Sequence, residues 1–252
     1  MILYNKLEGS LNPLNILCIF KYRREFRNNN PNYFDPDGLL VFTGPQGSGK
    51  TLSAVKYVIN LLNEYNNALL VTNIDIKEFP IDNKRVFRFN NSDDLSKYNN
   101  DKLGVIFLID EIQLYFNSLD SKNIDPNVMV QISQQRKQRK HIVCTSQVFG
   151  RLAKPLREQF SNVIFCKNYL GFIQRNRLID RDSLDTESST GTELKGKVKK
   201  SFWWLHDPKD YSLYDTYNII NNNFRDVKGG EIEIFTDYDY VVSQIEERKK
   251  KW

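Results

Sequence analysis

Apolar residues arrive in short, separated blocks along this chain. Gly38-Leu-Leu-Val-Phe-Thr43, Ala68-Leu-Leu-Val-Thr-Asn-Ile74, Gly104-Val-Ile-Phe-Leu-Ile109, His141-Ile-Val-Cys-Thr-Ser-Gln147 and Ser161-Asn-Val-Ile-Phe-Cys166 are runs of strand length. Runs without alternation predict strands buried on both faces, as in a parallel sheet. Thr51 to Glu64 instead spaces Leu52, Ala54, Val55, Val58, Ile59, Leu61 and Leu62 at helical intervals, and Asn66-Asn67 ends it. Arg85-Val-Phe-Arg-Phe89 alternates charge with apolar residues and reads as an edge strand. Asn90 to Asp101 reads as a loop with a short helix, and residues 112–123 as a loop or broken helix. Helices are expected over Pro126 to Lys140 and, after a turn, over Gly150 to Phe160.

The pattern changes near residue 168. Leu170 to Asp180 and Thr192 to Trp204 read as a β-hairpin around a polar tip, Asp182 to Gly191. A short alternating segment, Glu231-Ile-Glu-Ile-Phe235, and a charged terminal helix or tail, Val241 to Lys251, come later. Before the first strand, Leu14-Asn-Ile-Leu-Cys-Ile-Phe20 is expected as a helix docked on the core. Three segments result: an N-terminal extension (1–36), a core (37–168) and a C-terminal hairpin and tail region (169–252). The fold class is α/β, with helices flanking a mostly parallel sheet and a small hairpin-containing appendage.

Composition narrows the function classes. The 252 residues are 40% hydrophobic, enough for one large core. A net charge of +5 permits contact with nucleic acid or anionic lipid without establishing it. Cys18, Cys144 and Cys166 are scattered, with no CxxC pair, which argues against a structural metal site and for thiols in a reducing compartment. His141 and His206 are the only histidines, which argues against a histidine-pair catalyst. No run of about twenty apolar residues exists, so no transmembrane helix is expected.

The first strand runs into Gly44-Pro-Gln-Gly-Ser-Gly-Lys-Thr51, which satisfies the phosphate-loop pattern G-x-x-x-x-G-K-[ST] at every required position. The glycines let the backbone turn tightly and aim successive N–H groups at an anion. Lys50 suits the β- and γ-phosphates, and the Thr51 hydroxyl suits Mg²⁺. Candidate nucleotide-binding residues are Gly44, Pro45, Gln46, Gly47, Ser48, Gly49, Lys50, Thr51 and Leu52. The expected ligands are ATP and Mg²⁺.

Two carboxylates end the third long run. Asp110 would bind Mg²⁺ through water, and Glu111 would orient and polarise the attacking water, the hhhhDE form of a Walker B motif. Gln147 would share their sheet edge, where an amide can meet a γ-phosphate. Gln134-Gln-Arg-Lys-Gln-Arg-Lys140 is either a solvated helix end or a source of an arginine finger or DNA contact. Arg151, Lys154 and Arg157 are candidates to reach a neighbouring subunit's nucleotide. In the hairpin, Lys195, Lys197, Lys199 and Lys200 interleave with Phe202, Trp203 and Trp204, either a nucleic-acid groove or a solvated face over a small aromatic core. An adjacent Asp-Glu pair and a polar strand tip define an additional-strand, catalytic-glutamate P-loop NTPase. A kinase lid and the N-K-x-D base reader of G proteins are not found.

GPQGSGKT, LLVTNI, VIFLIDEIQLYF, QQRKQRKHIVCTSQ, LREQ and LYDTY together resemble the zonula occludens toxin (Zot) domain family. That family is similar to the assembly ATPases of filamentous phages and sits with the FtsK-HerA translocases and viral packaging ATPases. The resemblance spans roughly residues 38–170 plus 211–217. It implies an ATP-driven motor that packages or moves DNA, expected as duplex, working as a homo-oligomeric ring with capsid, portal or assembly proteins as further partners. By motif it carries over Lys50 and Thr51 to nucleotide and Mg²⁺, Asp110 and Glu111 to Walker B, and Gln147 to the sensor. Arg136, Arg139 or Arg157 carries over as the finger. Filamentous-phage relatives have a membrane span after the ATPase domain. None is visible here, so the expectation is a soluble motor in the host cytoplasm, associated with assembling virions. The alternative is a nucleotide-dependent assembly scaffold that does not act on DNA.

Overall fold

The apolar runs become strands of one sheet in the computed structural model. It describes residues 13–30, 33–35, 38–76, 83–119, 124–184 and 196–214. All of them precede the boundary between the chain's two units, Met1–Asn218 and Ile219–Trp252. The strands are β1 (Leu39–Thr43), β2 (Leu69–Thr72), β3 (Val86–Arg88), β4 (Val105–Ile109), β5 (Lys140–Ser146), β6 (Phe160–Tyr169), β7 (Ile173–Ile179) and β8 (Val198–Leu205). Among the described residues they form one eight-stranded sheet in the order β3-β2-β4-β5-β1-β6-β7-β8.

β3 through β6 in that order pair in parallel. β7 and β8 are antiparallel additions. The fold class is therefore α/β with a mostly parallel sheet. The alternating run lies at the sheet edge as β3, where one side of its backbone pairs with no strand among the described residues. β1, β4 and β5 are buried at every position, which is why their sequences show no alternation.

Helices cover both faces. α1 spans Pro13–Asn29, α2 Lys50–Glu64, α3 Asp94–Lys97, α4 Pro126–Ser133 and α5 Lys154–Arg157. α2 buries Ala54, Val55, Val58, Leu61 and Leu62 against Leu40, Phe42, Ile106, Leu108 and Val143. The other face packs Leu39, Val41, Val105, Phe107 and Ile109 against Val128 and Ile132 of α4 and against Phe149, Leu152 and Leu156. Each Val, Leu, Ile or Phe among them contributes about 1.5–3 kcal/mol by leaving water, so the two layers hold the strand ends where the site needs them.

Three local expectations change. The helix expected over 126–140 stops at Ser133, and residues 134–139 turn back on themselves. Arg139 takes a left-handed conformation (φ 56°), and Lys140 already pairs with Val105 as the first residue of β5. The buried Lys140 ammonium donates to Leu95 O at 2.7 Å, so strand pairing takes the basic run out of the helix. The segment after Gln147 is not one helix over 150–160. A 3₁₀ turn at Phe149–Arg151 is followed by an extended Leu152, bridged to Asn117, and then by α5, with Pro155 in its first turn. A proline is tolerated only there, because deeper in a helix it would remove a hydrogen bond.

The N-terminal apolar run is helical, but it is not docked by its apolar residues: Leu17 is 65% and Phe20 64% exposed. Contact with the rest of the chain comes from the helix end instead, where Phe26 meets Tyr33 edge-on at 4.9 Å. The hairpin forms as β7 and β8, and it continues the core sheet through β6, so the antiparallel strands share hydrogen bonds with the parallel ones. The hairpin tip beyond Leu184, the segment at 231–235 and the terminal helix expected at 241–251 lie outside the described residues.

Candidate functional site

Parallel pairing brings the C-terminal ends of β1, β4 and β5 to one sheet edge. The glycine loop follows β1, Asp110 and Glu111 follow β4, and Gln147 follows β5. The loop is shaped by left-handed Gly47 (φ 73°) and Gly49 (φ 76°). At Gly49 a side chain would also collide with the Gln174 amide. Gly49 is the N-cap of α2 and offers no side-chain cap. The first N–H groups of α2 are thus left to an anion at the positive end of the helix dipole. Lys50 is buried and its ammonium donates to Pro45 O at 3.1 Å, folded over the loop it would share with a phosphate. The Ser48 hydroxyl is buried without a hydrogen-bond partner, a polar atom that a phosphate oxygen would satisfy.

The two carboxylates are held separately. Asp110 Oδ1 accepts from Thr51 Oγ1 at 3.0 Å and from Thr145 Oγ1 at 2.5 Å. Burial pushes the Asp110 carboxyl up and Glu111 adds to this, against the Thr145 and Thr51 hydroxyls and Lys50, which pull it down; the net direction is up. A hydroxyl beside a half-buried carboxylate is a hard oxygen pair suited to Mg²⁺, and a cation there would stabilise the ionised form. Glu111 is left-handed (φ 50°), a conformation that turns the chain sharply after Asp110. Its carboxylate accepts from Gln147 Nε2 at 3.3 Å and from the Gln113 amide. Thr51, Asp110, Glu111 and Gln147 are thereby linked by hydrogen bonds, directly or through Thr145.

The arginines are not brought to this edge. Arg136 and Arg139 precede β5, whose seven residues at about 3.3 Å each separate them from Gln147 by roughly 20 Å. Arg139 is also engaged. It donates to Phe34 O at 3.0 Å and to the Tyr33 hydroxyl, and its guanidinium lies 3.8 Å from the Tyr33 ring centre. Arg136 is exposed. Arg157 ends α5, just before β6 begins at the far edge of the sheet, and its Nε has no hydrogen-bond partner. None of the three lies at the edge that carries the glycine loop.

Several residues that organise the site carry no motif signal. Thr145 donates to Asp110 and accepts from Glu111 N–H at 2.9 Å, so one hydroxyl sets both carboxylates. The Asn73 side chain accepts from Asp110 N–H at 2.8 Å and donates to Asp110 O at 3.0 Å. On β7, Gln174 Nε2 donates to Ser48 O at 2.9 Å and Asn176 Nδ2 donates to Ser53 Oγ at 3.1 Å. Both side chains are buried. The only hint was a polar residue inside a strand-like run, which is equally ordinary for a solvated strand. Among the described residues no group of three or more His, Cys, Asp or Glu could hold a metal ion, and no helix is long and apolar enough to cross a membrane.

A strand, glycine loop and helix, with one strand (β5) between the loop strand and the strand ending in two carboxylates, define a P-loop NTPase fold of the additional-strand, catalytic-glutamate kind. Residues 38–217 match the family model described as zonular occludens toxin (Zot), and the chain belongs to that family. No curated protein matches the chain. Solved structures similar to it include the N-terminal domain of zonular occludens toxin from Neisseria meningitidis, with 17% identity over 71% of this chain and 98% of that one, TM-score 0.45. The genome packaging NTPase B204 from Sulfolobus turreted icosahedral virus 2, in complex with ATP-gammaS, has 15% identity over 64% and 98%, TM-score 0.44. B204, the DNA-packaging ATPase from Sulfolobus turreted icosahedral virus, has 15% identity over 52% and 76%, TM-score 0.40.

Proposed function

We propose that this chain is an ATP-hydrolysing motor that packages or translocates DNA for a virus or mobile element, acting as a ring of like subunits. The observation that carries the reading is the Thr51–Asp110 contact with Glu111 tethered beside it. Phosphoryl transfer needs little covalent help, so a site that positions charge is sufficient. In this reading the N–H groups of the loop and Lys50 hold the β- and γ-phosphates. Thr51 and Asp110 would hold Mg²⁺, and the chemistry it would supply there is neutralisation of phosphate charge. Glu111 orients and polarises water, and Gln147, bonded to Glu111, senses the γ-phosphate. Membership of the Zot family supports the reading.

An arginine supplied by a neighbour completes the site, because Arg136, Arg139 and Arg157 all lie away from this subunit's loop edge. Arg157 and the exposed Arg136 are the better placed. Arg139 is committed to Tyr33 and Phe34. Activity is then expected only in the oligomer. Purified protein should hydrolyse ATP and DNA should stimulate it. Lys50→Ala should abolish turnover, and Glu111→Gln should bind ATP and hold it unhydrolysed. Wild-type turnover by Glu111→Gln would refute the assignment of the glutamate. Flat rates with and without DNA at moderate salt would replace the motor with an assembly scaffold.

A further inference from the structure

β7 presents its residues alternately to two sides of the sheet. Gln174 and Asn176 reach toward the glycine loop and α2. Arg175 and Arg177 point the other way. The register sets Lys167, Arg175 and Trp203 in one cross-strand row, and Phe165, Arg177 and Ser201 in the next. Tyr169 belongs to the same face. Its ring stacks on that of Trp203, with centroids 5.7 Å apart and planes 24° from parallel. Arg175 lies 4.9 Å from the Trp203 ring centre, Lys167 5.1 Å from that of Tyr169, and Arg177 4.8 Å from that of Phe165.

This face is built, and its charge is unmatched. Trp203 is 57% exposed. Among the described residues, Lys167, Arg175 and Arg177 make no salt bridge, whereas the nearby Lys199 is paired with Asp180 at 2.9 Å. Arg175 hydrogen-bonds the Tyr169 hydroxyl and so lowers its pKa, while its buried Nε has no partner among the described residues. An exposed tryptophan would ordinarily be buried or capped, and three cations without an acidic partner on one small face repel each other. Both features become favourable when an anionic polymer with flat apolar rings lies across them.

We propose that the outer face of β6, β7 and β8 binds an unpaired nucleic-acid strand, its phosphates on Lys167, Arg175 and Arg177 and a base stacked on Trp203. The rings select a single strand, because paired bases keep their faces inside the duplex. This departs from the duplex expected as partner. That the strand is DNA rests on the motor reading above; the stacking and charge do not. Because the same strand grips Ser48 O from its other side, the bound polymer sits one strand thickness from the nucleotide loop.

The test is fluorescence anisotropy of a labelled oligothymidylate with the full chain, without nucleotide, as salt is varied. Trp203→Ala should weaken binding by about tenfold or more. Arg175→Gln with Arg177→Gln should reduce the slope of log affinity against log salt by about 1.4, at roughly 0.7 per phosphate contact. A fluorescent ATP analogue should bind these variants as it binds wild type, which certifies their fold. Unchanged thymidylate affinity in both variants would overturn the proposal, as would tighter binding to a duplex of equal length. If DNA fails to stimulate hydrolysis while the variants still lose the strand, the motor reading falls and this site stands.

Discussion

Thr145→Val is the sharpest test of how the site is built. The two side chains have nearly the same shape, so the change removes a hydroxyl and leaves little cavity. That hydroxyl donates to Asp110 Oδ1 at 2.5 Å and accepts from Glu111 N–H at 2.9 Å. Leaving a partly buried N–H unsatisfied costs about 1–3 kcal/mol. The lost bond to a charged carboxylate adds about 1.5–3 kcal/mol, discounted because Asp110 keeps Thr51. A total of about 2–4 kcal/mol is expected. Glu111 is the only residue of the pair in a left-handed conformation, so losing the bond to its N–H frees it to relax and carries its carboxylate away from the water it would orient. A displacement of about 1 Å is enough for a hundredfold loss of turnover.

Burial raises the Asp110 pKa and the Thr145 hydroxyl lowers it, so the variant should ionise Asp110 at higher pH and the acid limb of activity should move up. Urea unfolding, ATP turnover and its pH profile measure the three effects, with Thr145→Ser as the control that retains the hydroxyl. A valine variant within about 0.5 kcal/mol of wild type by the same scale, with normal turnover, would refute this account.

Gln174→Ala should leave Ser48 O without its partner and loosen the glycine loop, so nucleotide affinity should fall by about fivefold to tenfold, roughly 1 kcal/mol or more, in an equilibrium titration; unchanged affinity would separate β7 from the loop. Burial pushes the Cys166 thiol up to about 12 and raises Cys144 well above its ordinary value, while Cys18 is exposed. A thiol reagent at pH 8 should therefore modify one cysteine rapidly in the native protein and three after denaturation. Burial raises the Asp94 pKa, but its bond to Lys97 and those from Asn90 and Asn91 N–H outweigh this, and the net direction is down. A folded-state pKa below the unfolded value contributes stability above about pH 4 that is lost as pH falls through the folded value. The gap in thermal midpoint between wild type and Asp94→Asn should accordingly narrow as pH falls below about 4.

Strand identity and the nucleotide loop were legible from residue order because both are local. A buried parallel strand requires an unbroken apolar run, and a phosphate cradle requires glycines where backbone must approach an anion. Lys50, Thr51, Asp110 and Glu111 follow from that logic. The basic run at 134–140 reads as a helix end because its composition is helical, yet Lys140 is taken by β5, whose pairing with β4 lies more than thirty residues away in sequence. The apolar stretch at Leu14–Phe20 announces a helix but not what covers it, and its exposure is decided by where the rest of the chain packs.

Thr145 and Asn73 were invisible as functional residues, since a threonine in a strand and an asparagine after one have many ordinary uses. Only the placement of β5 and β2 on either side of β4 turns them toward Asp110. The same holds for β7. A strand there was readable, but that one side would meet the glycine loop and the other would assemble Lys167, Arg175, Arg177 and Trp203 depended on antiparallel pairing with β6. Local sequence determines which backbone shapes and charges exist; the pairing order of strands determines which of them meet, because hydrogen-bonded neighbours in a sheet come from distant parts of the chain.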